Sequence, residues 1–143
     1  MTETTAEISL NDDHFCFVCG RNNPDGLQLT FEYPGPGRCR AEFVPLRKFQ
    51  GWQGILHGGI ISTLLDEAMA HALGGAERGG GGSGAVTAEM TVRFRKPVKI
   101  GEVAILAGRV QSDKGRIVEC SSEILSQDGT VLASATGKLV RPR

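Results

Sequence analysis

The sequence predicts a single α+β domain in which one long helix packs against an antiparallel sheet. Apolar residues recur at helical spacing through residues 60–73, and this period is that of a buried helix. Two strand-like runs precede this stretch, and four longer runs separated by turn residues follow it. One helix set among segregated strands is typical of the α+β class, and 143 residues suffice for one core.

The composition argues against two classes of partner. Sixteen basic and sixteen acidic residues cancel, so charge gives no general affinity for nucleic acid or for an anionic membrane. No apolar run reaches transmembrane length, and the polar, acidic start does not resemble a secretory signal. We therefore expect a cytoplasmic protein with a flexible tail over residues 1–13 and one folded domain over residues 14–143.

The folded part opens with a Cys-x-x-Cys pair, Cys16 and Cys19. A disulfide is not expected in the cytoplasm, and a zinc site needs four ligands, so that Cys39 or His14 would have to complete it. We predict instead that the thiols pack as small apolar groups beneath the two neighbouring phenylalanines. The sequence is thus assigned no metal.

A hairpin and a loop are predicted before the helix. Residues 27–33 alternate between apolar and polar side chains, a turn follows, and residues 38–43 form the returning strand. The loop over residues 45–56 holds the one tryptophan, Trp52. We expect Trp52 to pack over the start of the helix, with a lid or a pocket wall as the alternative.

The helix carries two carboxylates, Asp66 and Glu67, within its apolar stretch. Carboxylates are rarely buried without a partner, because they lose their hydration. One interpretation is that one of them faces solvent while the other pairs with His71 or a basic residue. The second is that Asp66 lines an active site.

Two glycines, Gly58 and Gly59, stand at the start of the helix. Unpaired N–H groups and the positive pole of the helix suit an anion there, or a carbonyl oxygen becoming one, although a Gly-Gly pair also simply permits a tight turn. Eight residues separate Gly58 from Asp66, which is about 12 Å along a helix. The two groups reach one carbonyl only if two antiparallel copies of the helix meet, so the sequence predicts a site shared across a dimer.

The helix is predicted to end at Gly74-Gly75, and the glycine run over residues 79–82 is predicted to be mobile. Four strands follow, at residues 85–95, 102–112, 116–126 and 130–140, with glycine turns at Gly115 and Gly129. In the first of these strands, alternation places two sets of side chains on opposite faces. The apolar set is Val86, Ala88, Met90, Val92 and Phe94, and the polar set is Thr87, Glu89, Thr91, Arg93 and Arg95.

Two motifs resemble a known family. Residues 57–59 (His-Gly-Gly) followed by residues 63–67 (Thr-Leu-Leu-Asp-Glu) are similar to the signature of hotdog-fold acyl-CoA thioesterases of the PaaI-like branch. Residues 91–98 with the following Gly-Glu are similar to the third strand of that family. The resemblance covers residues 16–140 and implies a hotdog fold, with a long central helix wrapped by an antiparallel sheet.

The resemblance implies hydrolysis of an acyl- or aryl-CoA thioester without a cofactor. The Gly58 N–H would hold the thioester oxygen, and Asp66 of the opposite subunit would act as base or nucleophile. His57 would orient the loop or contact the thioester. A homodimer is expected, and a tetramer of paired dimers also fits.

Residues outside the His-Gly-Gly and Asp66 positions are also predicted to contact the substrate. Many relatives carry Asn or Gln six residues before the histidine, where this chain has Gly51, with Gln50 and Gln53 nearby; whether either glutamine substitutes stays open. Basic residues of the strand after the helix would bind the phosphates of coenzyme A. The predicted substrate contacts are Gly59, Thr63, Glu67, Gln53, Thr91, Arg93 and Arg95.

Three other functions are compatible with the motifs. The first is an acyl-CoA-binding module without activity, and the second is a hotdog hydroxyacyl dehydratase. The third is a structural dimer in which Asp66 is merely paired. The carboxylate at Asp66 and the His-Gly-Gly entrance favour the thioesterase, and the acyl group cannot be read because apolar pocket walls look alike.

Overall fold

The computed structural model describes residues 10–75 and 84–142. Within these residues lie one α-helix, a 3-10 turn at Arg47–Phe49 and five strands in a single antiparallel sheet of order β1-β3-β4-β5-β2. The α-helix contacts every strand. The predicted α+β class is confirmed, as are the predicted bounds of the four later strands to within two residues. The elements are β1 (Arg38–Phe43), α1 (Gly58–Gly74), β2 (Val86–Phe94), β3 (Ala104–Asp113), β4 (Ile117–Ser126) and β5 (Val131–Val140).

The predicted strand over residues 27–33 is wrong. The segment meets β1 at a single bridge, where Glu32 and Arg40 exchange backbone hydrogen bonds of 2.7 and 2.8 Å. Gln28 interrupts the extended backbone, because its φ is +53° and its side-chain Nε2 donates to the Asn23 carbonyl at 2.8 Å. The apolar side chains of the segment cover the helix instead, and the Phe31 ring stacks on His71 with centroids 3.9 Å apart.

The middle of α1 lies unusually close to the sheet. A Cβ atom added at Gly108 of β3 would lie 2.3 Å from the Ala68 carbonyl oxygen, so only glycine fits. Two side chains of the sheet also donate to helix carbonyls: Ser122 Oγ to Leu65 at 2.8 Å and Cys39 Sγ to Ala68 at 2.9 Å. These contacts flank Asp66 and Glu67 and fix their place along the sheet.

A bulge in β2 changes the predicted alternation at its start. The register with β5 shifts between Thr87 and Glu89. Thr87 therefore stands opposite Leu139, which is fully buried on the helix side, whereas Val86 is 42% exposed. The predicted faces are wrong for Val86 and Thr87. From Glu89 onwards the predicted alternation is correct, and the apolar side chains lie on the face of the sheet that packs against α1.

Some predictions concern residues at the margin of the structure. Gly75 has φ +56° and receives the end of α1, its N–H donating to the His71 carbonyl at 2.7 Å, so the predicted helix stop is confirmed. The glycine run over residues 79–82 lies outside the described residues, as does most of the predicted tail. Among the residues that the structure describes, no helix is long and apolar enough to cross a membrane.

Candidate functional site

His57 caps the start of α1. Its Nδ1 accepts a hydrogen bond from the Gly59 N–H at 2.8 Å, and its carbonyl accepts from the Ile61 N–H at 3.0 Å. Because Nδ1 is an acceptor, the ring proton lies on Nε2. The Gly58 N–H has no acceptor among the described residues and stays available at the positive end of the helix.

A groove of about 570 Å³ opens in front of this helix start. Its walls include Trp52, His57, Gly58, Phe94 and Lys96. The prediction that Trp52 packs over the helix is wrong, because the residue is 85% exposed. A tight turn, in which the Ile55 N–H donates to the Trp52 carbonyl at 2.9 Å, carries the indole outward and makes it a groove wall, which was the alternative prediction.

The two candidate glutamines lie in the same turn. Gln50 is engaged there, since its Oε1 accepts from the Gly54 N–H at 3.2 Å, and Gln53 is exposed. Gly51 lies against His57, and a Cβ atom added to it would be crowded, at 3.3 Å from the His57 Cα. Whether Gln50 or Gln53 replaces the amide of the relatives stays a prediction.

Asp66 is half-buried on α1 and is held from β2. Thr87 Oγ1 donates to Asp66 Oδ1 at 2.5 Å, and Oδ2 has no donor within the described ranges. Thr87 reaches the carboxylate because the bulge in β2 turns it toward the helix, a common use of bulges beside functional sites. Sequence reasoning missed Thr87, since strict alternation assigns it to the other face.

The predicted groups therefore lie at two places on one helix. Gly58 and Asp66 are both within α1, so the predicted spacing of about 12 Å holds. Thr63, which lies between them, donates its hydroxyl to the Gly59 carbonyl at 2.8 Å, the local bond that helical hydroxyls often make. One chain alone does not bring the helix start and the Asp66 carboxylate to the same atom.

Glu67 points to a different environment from Asp66. Its Oε2 lies 3.2 Å from His71 Nε2, and His71 Nδ1 lies 2.7 Å from the Tyr33 hydroxyl. The prediction that one carboxylate of the pair binds His71 is confirmed. Burial acts to raise the pKa of Glu67, but the hydrogen bonds from His71 and Cys19 outweigh it and the pKa is lowered.

The Cys-x-x-Cys pair faces the same carboxylate. Cys16 Sγ donates to Glu67 Oε2 at 3.3 Å, and burial together with Glu67 raises the pKa of Cys19. The thiols are half-buried, but the prediction that they pack as purely apolar groups is wrong, because Cys16 donates to the Glu67 carboxylate. The turn points the sulfurs inward, toward α1.

Thr91, Arg93 and Arg95 line a groove of about 560 Å³ on the sheet face that points away from α1. Three further arginines line it: Arg38, Arg40 and Arg109. Glu123 also lines the groove, and Arg40 pairs with Glu42 at 3.3 Å, so the arginines of this face are partly balanced by acidic side chains. Because the sheet separates them, these residues do not share a surface with Asp66 in one chain.

Comparison with known proteins gives the context of this site. The chain matches the family model of the thioesterase superfamily over residues 53–133, more than half of its length. It is 30% identical over 128 residues to acyl-coenzyme A thioesterase THEM4 of Bos taurus, a match that covers 89% of this chain and 46% of that protein. The chain thus spans about half the length of this curated relative.

Solved structures give the same fold. The thioesterase superfamily protein RHA08564 has a TM-score of 0.76 and 30% identity, with 89% of this chain and 60% of that one covered. The E. coli PaaI protein from the phenylacetic acid degradation operon has a TM-score of 0.70, with 80% of each chain covered, and its 21% identity speaks to the fold alone. The predicted hotdog fold is confirmed.

Proposed function

Because the chain belongs to the thioesterase superfamily, we propose that it is an acyl-CoA thioesterase that hydrolyses a thioester to a free acid and coenzyme A. The observation that carries the proposal is the Gly58 N–H at the start of α1, which has no acceptor among the described residues and opens onto a groove with apolar walls. The Asp66 carboxylate, held by Thr87 through one oxygen only, supplies the second requirement. The bovine relative is named for this reaction.

In the proposed mechanism the thioester oxygen accepts a hydrogen bond from the Gly58 N–H, where developing negative charge meets the helix dipole. Asp66 either removes a proton from the water that attacks the carbonyl, or attacks the carbonyl itself and forms a mixed anhydride that a water molecule then hydrolyses to the free acid and the regenerated carboxylate. The tetrahedral intermediate then expels the thiolate of coenzyme A, a good leaving group because the reference thiol pKa is only about 8.5. His57 orients the loop through its bond to Gly59, and its Nε2–H is a second donor at the groove.

Both groups act on one carbonyl only if the site is shared between subunits. The spacing of about 12 Å along α1 requires Asp66 from a second copy, with the two helices antiparallel. Strand β2 stands at the edge of the sheet and carries Thr87, so pairing of two copies along β2 would bring the two helices side by side. We therefore propose a homodimer, and a pair of such dimers is compatible with the same site.

Subunit mixing tests this arrangement. Co-expression of an Asp66→Asn chain with a Gly58→Pro chain is expected to restore activity that neither variant has alone, because a mixed dimer contains one site with both groups intact. Random assortment would restore roughly a quarter of all sites, and roughly half of the sites in the separated mixed dimers. Hydrolysis is measured on tagged, separated mixed dimers; if they are as inactive as the two parents, each site lies within one chain.

The rest of the substrate is assigned by chemistry. The groove beside Trp52 and Phe94 suits the acyl group, since both aromatic side chains are exposed there. Binding of the coenzyme A phosphates by Arg93 and Arg95, with Thr91, stays a prediction. It requires a second subunit, because the sheet separates these residues from Asp66 within one chain. Contacts from Gly59, Thr63 and Gln53 stay predictions, as does the cytoplasmic location. A contact from Glu67 was predicted as well, but its carboxylate lies against His71 and Cys16.

Release of free thiol from a panel of aryl-CoAs and short to long aliphatic acyl-CoAs tests the function. We expect turnover on at least one class, and the preferred class names the acyl group. Binding of the panel without any turnover would overturn the thioesterase and leave an acyl-CoA-binding module. Calorimetric titration with each acyl-CoA separates that outcome from a protein that binds none of them.

A further inference from the structure

We propose that Cys16, Cys19 and Glu67 form a binding site for a Zn²⁺ ion, apart from the proposed active site. Their ligand atoms all lie within 4.8 Å of one another, and Cys16 Sγ is 3.3 Å from Glu67 Oε2. In a tetrahedral site with Zn–S of about 2.3 Å and Zn–O of about 2.0 Å, a sulfur and an oxygen ligand are about 3.5 Å apart and two sulfurs about 3.8 Å. The Cys16–Glu67 distance already lies close to this value, and the other two distances would need to shorten by at most about 1 Å to share one ion.

The turn that carries the two cysteines is built to aim both sulfurs at one point. The Val18 N–H donates to Cys16 Sγ at 3.4 Å, and the Gly20 N–H donates to the Cys16 carbonyl at 2.9 Å. A Cβ atom at Gly20 would lie 2.2 Å from the Cys16 nitrogen, so the tight closure of the turn requires glycine. The Cys-x-x-Cys spacing is that of structural zinc sites, and a backbone N–H directed at sulfur favours the thiolate that binds metal.

The third ligand is held by its own hydrogen bonds. Glu67 Oε2 accepts from His71 Nε2 at 3.2 Å, and the Tyr33 hydroxyl lies 2.7 Å from His71 Nδ1. With Tyr33 donating to Nδ1, the imidazole proton lies on Nε2 and points at the carboxylate. His71 is buried and stacked against Phe31, so the relay is rigid. Metal-binding carboxylates are usually supported in this way.

The site explains two features that thioester hydrolysis leaves unused. One is Glu67, a carboxylate in the middle of the core helix that lies between His71 and the Cys16 thiol. The other is the turn at residues 16–20, which an ion shared with Glu67 would tie to α1. When the ion binds, the two thiol protons pass to solvent and a water molecule takes the fourth position.

Metal content tests the proposal on the full chain. The reduced protein is equilibrated with Zn²⁺ alone, freed of excess ion and assayed for zinc per chain. We expect about one ion per chain in the native protein and a loss of most of it in Cys16→Ser, Cys19→Ser and Glu67→Gln. Cys39→Ser is the matched control, because Cys39 is buried outside the cluster and bonds the Ala68 carbonyl, as a serine would. It should keep its zinc.

His71→Gln separates a supporting role from a purely structural one. It keeps a donor near Glu67 but loses the ordered relay, and we expect the affinity for Zn²⁺ to fall about 10–100-fold. Unchanged affinity would remove His71 from the site.

Cobalt spectroscopy covers variants that fail to fold. Co²⁺ added to the native reduced protein should give the visible bands of tetrahedral coordination and thiolate charge transfer, with no variant needed. Their absence, or a native protein that retains no zinc after equilibration, would overturn the proposal. So would a Cys16→Ser, Cys19→Ser double variant that holds as much zinc as the native chain. Thioester turnover is not part of the readout, so either proposal can fail alone.

Discussion

Replacing Asp66 with asparagine is expected to lower kcat for thioester hydrolysis by at least about a hundredfold, the range for loss of a general base. An amide has nearly the shape of a carboxylate, and its oxygen can still accept the bond that Thr87 makes at 2.5 Å. The side chain therefore stays in place while its ability to take a proton or to attack carbon is lost. Thiol release measured over a range of substrate concentrations should show the loss in kcat, with KM little changed.

Asp113→Asn is the matched control, since it makes the same chemical change on β3, where Asp113 pairs with Arg141 at the surface. Its kcat should equal that of the native protein. An Asp66→Asn protein with native kcat would exclude Asp66 from the chemistry, whatever the substrate. A large rise in KM at constant kcat would instead make Asp66 a binding residue.

The helix and the two candidate groups on it, Gly58 and Asp66, could be predicted because the signals for them are local. Apolar periodicity, the glycines at residues 58 and 59 and the carboxylate at Asp66 all lie within one continuous element, and helical geometry alone sets their spacing. The four long strands could be predicted equally well. Glycine turns with φ near +85° at Gly115 and Gly129 separate the last three of them.

What the sequence concealed depends on contacts between distant segments. A single bulged residue in β2 changes the face of the sheet on which Thr87 lies, and the alternation of apolar and polar residues in the strand does not indicate the bulge. The Cys16 thiol contacts Glu67, which is 51 positions away in the sequence. The sequence therefore offered His14 and Cys39 as possible partners of the cysteine pair and could not indicate Glu67. The strand expected before β1 failed because one side-chain hydrogen bond of Gln28 holds a left-handed backbone that alternation does not reveal.

Replacing Gly58 with proline is expected to lower kcat by about 10²–10³-fold, the cost of one lost oxyanion donor. Proline removes the N–H without unfolding α1, because Gly58 is the first residue of the helix and proline is favoured at that position. The preceding His57 has ψ +134°, which is also the conformation that a following proline requires. The readouts are kcat for thiol release and helical circular dichroism, which should remain native.

Gly58→Ala is the control that isolates the N–H from the added bulk. A Cβ atom at this position would lie 3.6 Å from Phe94 Cε1, an ordinary contact, so the alanine variant keeps both the fold and the donor. If the alanine and proline variants have the same kcat, the thioester oxygen is held by another group, and the His57 Nε2–H becomes the donor to test. If only the proline variant is impaired, the helix start is where negative charge develops, and the distance to Asp66 on the same helix then makes the second subunit a chemical requirement.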